Sequence, residues 1–222
     1  MNTGKNIKTL IVKKPLKLDC GQTIKDFPIA YETYGSLNSK KDNAILVFHA
    51  LTGDQFVTGI NPITNKKGWW SYAVGPDKAI DTNKYFVICS NVIGGCMGSY
   101  GPSHKDPDQN IFGTNFPVIT INDMVNAQYN LLDHFGINKL FSIAGGSMGG
   151  MQVLQFISNF PDKSKTVVPI ATTSSHSAQN IAFNELGRQA ITADSNWKEG
   201  NYTSNDTNPG KGLAVARMAA HI

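Results

Sequence analysis

Short apolar runs alternate with helical patterns along most of this chain. Ala44-Ile45-Leu46-Val47-Phe48 and Tyr85-Phe86-Val87-Ile88-Cys89 are unbroken apolar runs, the mark of strands buried on both faces. Residues 139–144 and 164–171 are similar in length and too short for helices, so they read as further strands. Between them lie two helical patterns. Asn122 is placed to cap a helix whose apolar face is Met124, Val125, Leu131, Leu132 and Phe135, with Gly136 ending it. Residues 148–160 carry apolar side chains at 148, 151, 154, 157 and 160, one face of a helix that Phe160-Pro161 closes. Residues 16–20 and 27–34 read as an antiparallel pair around Gly21, and residues 1–15 as a polar, lysine-rich lead-in. Strand, helix, strand, helix, strand after an antiparallel start predicts an α/β protein with a mainly parallel sheet and helices on both faces.

Two stretches lack periodicity. Residues 55–83 are irregular and contain Trp69-Trp70, a hydrophobic plug or the wall of a site, with the plug favoured. Residues 91–117 form a glycine-rich loop long enough to suggest a function. From Ser174 the texture changes to helical patterning over 177–193 and 213–220, separated by a polar stretch. The predicted division is an α/β core over residues 1–174 and the start of a helical lid over 175–222, with Ile222 falling in mid-helix.

The junction between strand 139–144 and helix 148–160 carries the candidate chemistry. Gly145-Gly146-Ser147-Met148-Gly149 fits the nucleophile elbow, a turn so sharp that the serine hydroxyl stands clear. Glycines two before and two after Ser147 avoid collisions with neighbouring backbone, and the amides of the following helix favour negative charge at the serine. A glycine-rich phosphate turn is the competing reading. The dinucleotide fingerprint needs glycine where Ser147 stands, and a Walker loop needs a lysine that is absent. The local pattern leaves a catalytic serine and a structural turn both open.

Composition narrows the setting. Hydrophobic residues make up 41% and charged residues 16% of 222, an ordinary globular balance. A net charge of +4 from scattered lysines is no nucleic-acid footprint. Cys20, Cys89 and Cys96 form no CxxC pair, which argues against a disulfide or zinc framework and for a reducing compartment. No signal peptide or membrane span is visible, so a cytoplasmic location is expected.

A serine hydroxyl needs a base. In the elbow arrangement an acid and then a histidine follow the serine on loops after later strands. Downstream of Ser147 stand His176 and His221, with Asp162, Asp194 and Asp206, and none falls where the base or acid belongs. Both are therefore expected beyond residue 222. The oxyanion hole is expected from the backbone amides of Met148, after the nucleophile, and Leu51, in the loop after the first buried parallel strand.

Three segments together resemble a known family. They are His49-Ala50-Leu51-Thr52-Gly53-Asp54, the loop Asn91-Val92-Ile93-Gly94-Gly95-Cys96-Met97-Gly98-Ser99, and the elbow extended to Gly150-Met151-Gln152. All three are similar to homoserine O-acyltransferases (homoserine O-acetyltransferases) of the α/β-hydrolase type. His176-Ser177-Ala178-Gln179-Asn180-Ile181-Ala182-Phe183-Asn184 and the stretch around Gly212, Leu213, Ala214, Ala216 and Arg217 match the same family. The resemblance runs from about residue 16 and covers the N-terminal part of such an enzyme, with the C-terminal strands absent. It implies transfer of an acyl group, acetyl or succinyl, from acyl-coenzyme A to L-homoserine in methionine biosynthesis. It further implies Ser147 as nucleophile, the Leu51 and Met148 amides as oxyanion hole, Arg217 as a homoserine-binding residue, no resident cofactor or metal, and a homodimer with lid helices in its interface. A serine O-acyltransferase, a serine esterase or peptidase, and an inactive fragment or interaction module are the alternatives.

Overall fold

The computed structural model describes residues 7–202 and 207–220. The strands are β1 (Lys8–Val12), β2 (Leu16–Lys17), β3 (Thr23–Ile24), β4 (Phe27–Tyr34), β5 (Ala44–Phe48), β6 (Val74–Gly75), β7 (Ile80–Asp81), β8 (Phe86–Ser90), β9 (Leu140–Gly146) and β10 (Ser164–Ile170). The α-helices are α1 (Ile121–Phe135), α2 (Met148–Asn159), α3 (Ala178–Thr192) and α4 (Gly210–Ala219). The main sheet runs β1-β4-β8-β5-β9-β10. Its β8-β5-β9-β10 part is parallel, and β1 and β4 join antiparallel.

The alternation of side chains along β5 and β8 sorts the core into two layers. Ala44, Leu46, Phe48, Phe86 and Ile88 point into a cluster with Val125, Leu131 and Leu132 of α1 and Val153 and Phe156 of α2. Ile45, Val47, Val87 and Cys89 point the other way, against Val57, Val74 and the half-buried Trp69 and Trp70. Among the described residues α1 and α2 thus share one face of the sheet, and the irregular 55–83 segment covers the other. Trp69 and Trp70 stack with centroids 5.4 Å apart, and the Trp69 indole N–H donates to the Asp54 carbonyl at 2.8 Å, which anchors the plug.

Three local expectations change. The lead-in contains a strand, because Val12 is buried and residues 8–12 pair antiparallel with residues 27–31. Residues 16–17 pair with 23–24 in a separate small hairpin, while β4 pairs with β1 and β8 instead. Thr120, not Asn122, caps α1. Its hydroxyl accepts the Asp123 N–H, its own N–H donates to the Asp123 carboxylate, and Asn122 bonds Asp19 and Asn159 instead. Gly136 ends the helix at φ 64°, as its type favours.

Two compact units divide the described chain. One comprises the residues up to Gly101 together with Pro117–Thr173, and the other Pro102–Phe116 together with the described residues from Ser174 onward. The second unit is built on α3 packed against α4. Gly212 sits so close to the Ala190 carbonyl that a Cβ would lie 2.3 Å from its oxygen.

Candidate active site

Ser147 joins β9 to α2 at φ 55° and ψ −122°, a conformation that side chains rarely adopt. Neighbouring backbone holds it there. Its N–H donates to the Ile170 carbonyl at the end of β10 (3.0 Å), and its carbonyl accepts the Thr172 hydroxyl (2.8 Å) and the Met151 N–H (3.1 Å). The residue is exposed, and among the described residues no group bonds its hydroxyl.

The flanking glycines are required by contact distance. A Cβ on Gly145 would lie 2.4 Å from the Gly149 carbonyl oxygen, and one on Gly149 would lie 2.1 Å from the Phe48 oxygen. Gly149→Ala is therefore expected to destabilise the protein by about 3 kcal/mol, since a backbone oxygen cannot yield as a side-chain tip can. A urea midpoint within error of the parent would show that the elbow packs less tightly than this.

The expected oxyanion groups leave the same end of adjacent parallel strands, where Phe48 of β5 pairs with Gly145 of β9. Met148 is the first residue of α2, so its N–H has no partner within the helix. Residues 50–53 form a turn closed by the Gly53 N–H on the Ala50 carbonyl (2.8 Å), and among the described residues nothing accepts from the Leu51 N–H. His49 braces this turn. It is buried, its Nδ1 is 2.7 Å from the Ala50 carbonyl, and its Nε2 is 3.2 Å from the Val92 N–H and 3.3 Å from the Asn91 amide. A carbonyl on one side and an N–H on the other define a neutral ring with the proton on Nδ1, and burial lowers its pKa to match. With both nitrogens bonded, His49 is a strut, not a base for Ser147. Asp54 ties down the next stretch by accepting from the Phe56 N–H and the Asn61 amide, and partial burial raises its pKa.

Asp162 and His134, which belong to the same unit as Ser147, do not join this group. Asp162 lies just before β10, whose first residue pairs with Leu140 at the start of β9, the opposite end of the strands from Ser147. His134 sits in the last turn of α1, edge-on to Phe135. His176 is exposed, with Nδ1 3.4 Å from the Asn184 amide. Asp194 accepts the N–H groups of Asn196 and Gly212, which hold its pKa low. His221 and Asp206 lie outside the described residues. Arg217 is on α4 of the second unit and is exposed. Among the described residues no cluster suited to a metal ion occurs, and no helix is long and apolar enough to cross a membrane.

Ser147 thus stands at positive φ between a parallel strand and a helix, and among the described residues the Leu51 and Met148 N–H groups have no acceptor. A profile of the alpha/beta hydrolase fold matches residues 43–221. The chain belongs to that family. A protein of Pelagibacter ubique named homoserine O-acetyltransferase is 73% identical over all of this chain and 60% of its own length. The crystal structure of homoserine O-acetyltransferase from Bacillus anthracis superposes with a TM-score of 0.88 at 29% identity, over 97% of this chain and 59% of that one. The crystal structure of esterase E22 gives a TM-score of 0.86 at 31% identity, over 97% and 60%. The chain thus spans about 60% of the length of these relatives.

The sequence reading missed a line of buried polar residues behind the site: Ser90, Gln128 and Gln152. In the sequence Gln152 stands only as the last residue of the elbow motif, Gln128 as one polar residue of a helical pattern between Asn126 and Asn130, and Ser90 as the residue after an apolar run.

Proposed function

We propose that these residues form the nucleophile-bearing part of an acyltransferase that moves an acetyl group from acetyl-coenzyme A to the hydroxyl of L-homoserine, a step of methionine biosynthesis. The observation that carries the reading is Ser147 at φ 55° with its hydroxyl exposed at the head of α2. The 73% identity to a protein named for this reaction supports the choice of substrates.

In this reading the Ser147 Oγ attacks the thioester carbonyl, and its proton passes to a histidine supplied from outside residues 1–222. The Leu51 and Met148 amides hold the tetrahedral oxyanion, each contributing about 3 kcal/mol. The C–S bond breaks, and coenzyme A leaves as its thiol with the transferred proton. The homoserine hydroxyl then attacks the acyl-enzyme and gives its proton to the same histidine, which returns it to the Ser147 Oγ as the acyl–Oγ bond breaks and O-acetyl-L-homoserine leaves. No resident cofactor takes part. Arg217 is assigned to the homoserine carboxylate, a task suited to a planar two-pronged donor. The second unit is the start of a helical lid, and the working enzyme is a cytoplasmic homodimer.

The test uses a full-length protein carrying these residues, with acetyl- and succinyl-coenzyme A as donors and homoserine, serine and water as acceptors. Acetyl transfer to homoserine should dominate. Arg217→Ala should raise the KM for homoserine at least tenfold while changing that for acetyl-coenzyme A less than threefold, the loss of one charge-assisted pair. Equal effects on both substrates would remove Arg217 from the site. The likeness to esterase E22 supports a second reading, an ester hydrolase. Fast hydrolysis of simple esters with no transfer to homoserine would favour it.

A further inference from the structure

Behind the elbow, a chain of side-chain amides runs through the core of the first unit. The Gln152 Nε2 lies 3.3 Å from the His49 carbonyl and 3.3 Å from the Met148 carbonyl. Facing two carbonyls, this end of the amide must be the donor. Its Oε1 therefore faces Gln128, whose Nε2 donates to it at 2.7 Å and also lies 3.2 Å from the Met124 carbonyl. The Gln128 Oε1 in turn accepts the Ser90 hydroxyl at 2.8 Å. Three main-chain carbonyls thus fix the direction of the whole chain, and Ser90 supplies its terminal donor. All three side chains are at most 1% exposed. A reversed amide would set oxygen against oxygen in a buried site, at the cost of unpaired polar atoms.

The chain ends on the segment that the proposed chemistry depends on. The carbonyl of His49 is two residues from Leu51, and that of Met148 belongs to the residue after the nucleophile. One amide group, that of Gln152, bonds both halves of the oxyanion hole.

We infer that Ser90, Gln128 and Gln152 are positioning residues that set the spacing of the Leu51 and Met148 amides by clamping the His49 and Met148 carbonyls together. This rests on the acyl-transfer reading of Ser147. Losing one oxyanion donor outright lowers kcat by about 10² to 10³. Releasing the clamp displaces a donor without deleting it, so a loss of about tenfold to a hundredfold is expected.

The experiment uses the full-length protein with acetyl-coenzyme A and L-homoserine. Active serines are titrated by the burst from p-nitrophenyl acetate, so that kcat refers to folded, acylatable enzyme. Gln152→Leu should lower kcat per titrated serine by about tenfold to a hundredfold, with both KM values within twofold of the parent. Ser90→Ala, far from the reacting atoms and conservative in volume, should lower kcat in the same sense. Adding Ser90→Ala to Gln152→Leu should cost less than a further twofold, because the clamp is already open. Gln152→Glu provides a signature that packing alone would not move. Its buried carboxylate cannot donate, but its protonated form can, so its kcat relative to the parent should rise as pH falls. A lower melting temperature with kcat per titrated serine unchanged in both Gln152→Leu and Ser90→Ala would overturn the inference and leave the chain a structural network. Should Gln152→Leu fail to fold, Ser90→Ala and the Gln152→Glu pH profile decide alone. Ser147→Ala separates the two levels: activity surviving in that variant refutes the site itself, whereas its loss beside unaffected glutamine variants refutes only the clamp.

Discussion

Replacing Ser147 by alanine in a full-length protein is expected to lower kcat by a factor on the order of 10⁵ to 10⁶, the scale on which removal of a nucleophile acts when its partners are intact. The burst of coenzyme A release should vanish with it, because no covalent intermediate can form. Ser147→Gly should abolish activity equally but raise stability. A residue with a side chain at φ 55° and ψ −122° carries about 1–3 kcal/mol of strain. Glycine removes that strain and returns part of it as extra freedom of the unfolded chain, about 0.5–1 kcal/mol. The net gain of about 1 kcal/mol corresponds to a rise in Tm of about 1–2 °C in a full-length protein. A lower Tm for the glycine variant would mean that the turn is not strained. An alanine variant keeping more than a hundredth of the parent kcat would place the nucleophile elsewhere.

The difference between what the sequence revealed and what it concealed follows from range. β5, β8, β9 and α2 show themselves because strands buried on both faces are continuous apolar runs and a helix has its own period. The elbow shows itself because Gly145, Ser147 and Gly149 form a compact local pattern, although the atom that excludes a side chain at Gly149 belongs to Phe48, far away in the chain. β1 is hidden because Lys8 within it and Lys13 and Lys14 after it mask an alternation in which only Val12 is fully buried, and because its partner is β4 rather than the adjacent β2. Thr120 was overlooked as the cap because Asn122 is an equally good capping type. Its side chain is instead committed to Asp19, 103 residues away in the chain. The glutamine chain lies furthest from any sequence signal. Gln128 and Gln152 are 24 residues apart, and Gln152 and His49 are 103 apart. Nothing local marks a polar side chain whose partners come only with the tertiary fold.

Residues 1–222 expressed alone are expected to give no useful acyl transfer. In the proposed reading Ser147 has its turn and the Leu51 and Met148 amides, but among the described residues no base bonds its hydroxyl. At neutral pH it stays protonated and attacks slowly. The oxyanion groups alone sustain at most about 10³- to 10⁴-fold over water, far below turnover. The isolated segment should also associate. Among the described residues β10 pairs only with β9, leaving a strand edge open, and Val167, Val168 and Ile170 on it are each more than a third exposed. Beside them a groove of about 380 Å³ is lined by Ile45, Trp70, Tyr85, Phe141, Val168 and Ile170. In the second unit Ile181, Leu186, Leu213 and Met218 are exposed as well. Mixing the purified segment with acetyl-coenzyme A and homoserine should release no burst of free thiol, and light scattering should report oligomers or aggregate at micromolar concentration. A monodisperse monomer would show that the open edge and the apolar groove are tolerated in water. Turnover within tenfold of a full-length protein would place the base inside these residues, with His176 and His221 the first to replace. The remote histidine assigned in the mechanism would then be wrong, whereas Ser147 as nucleophile would stand.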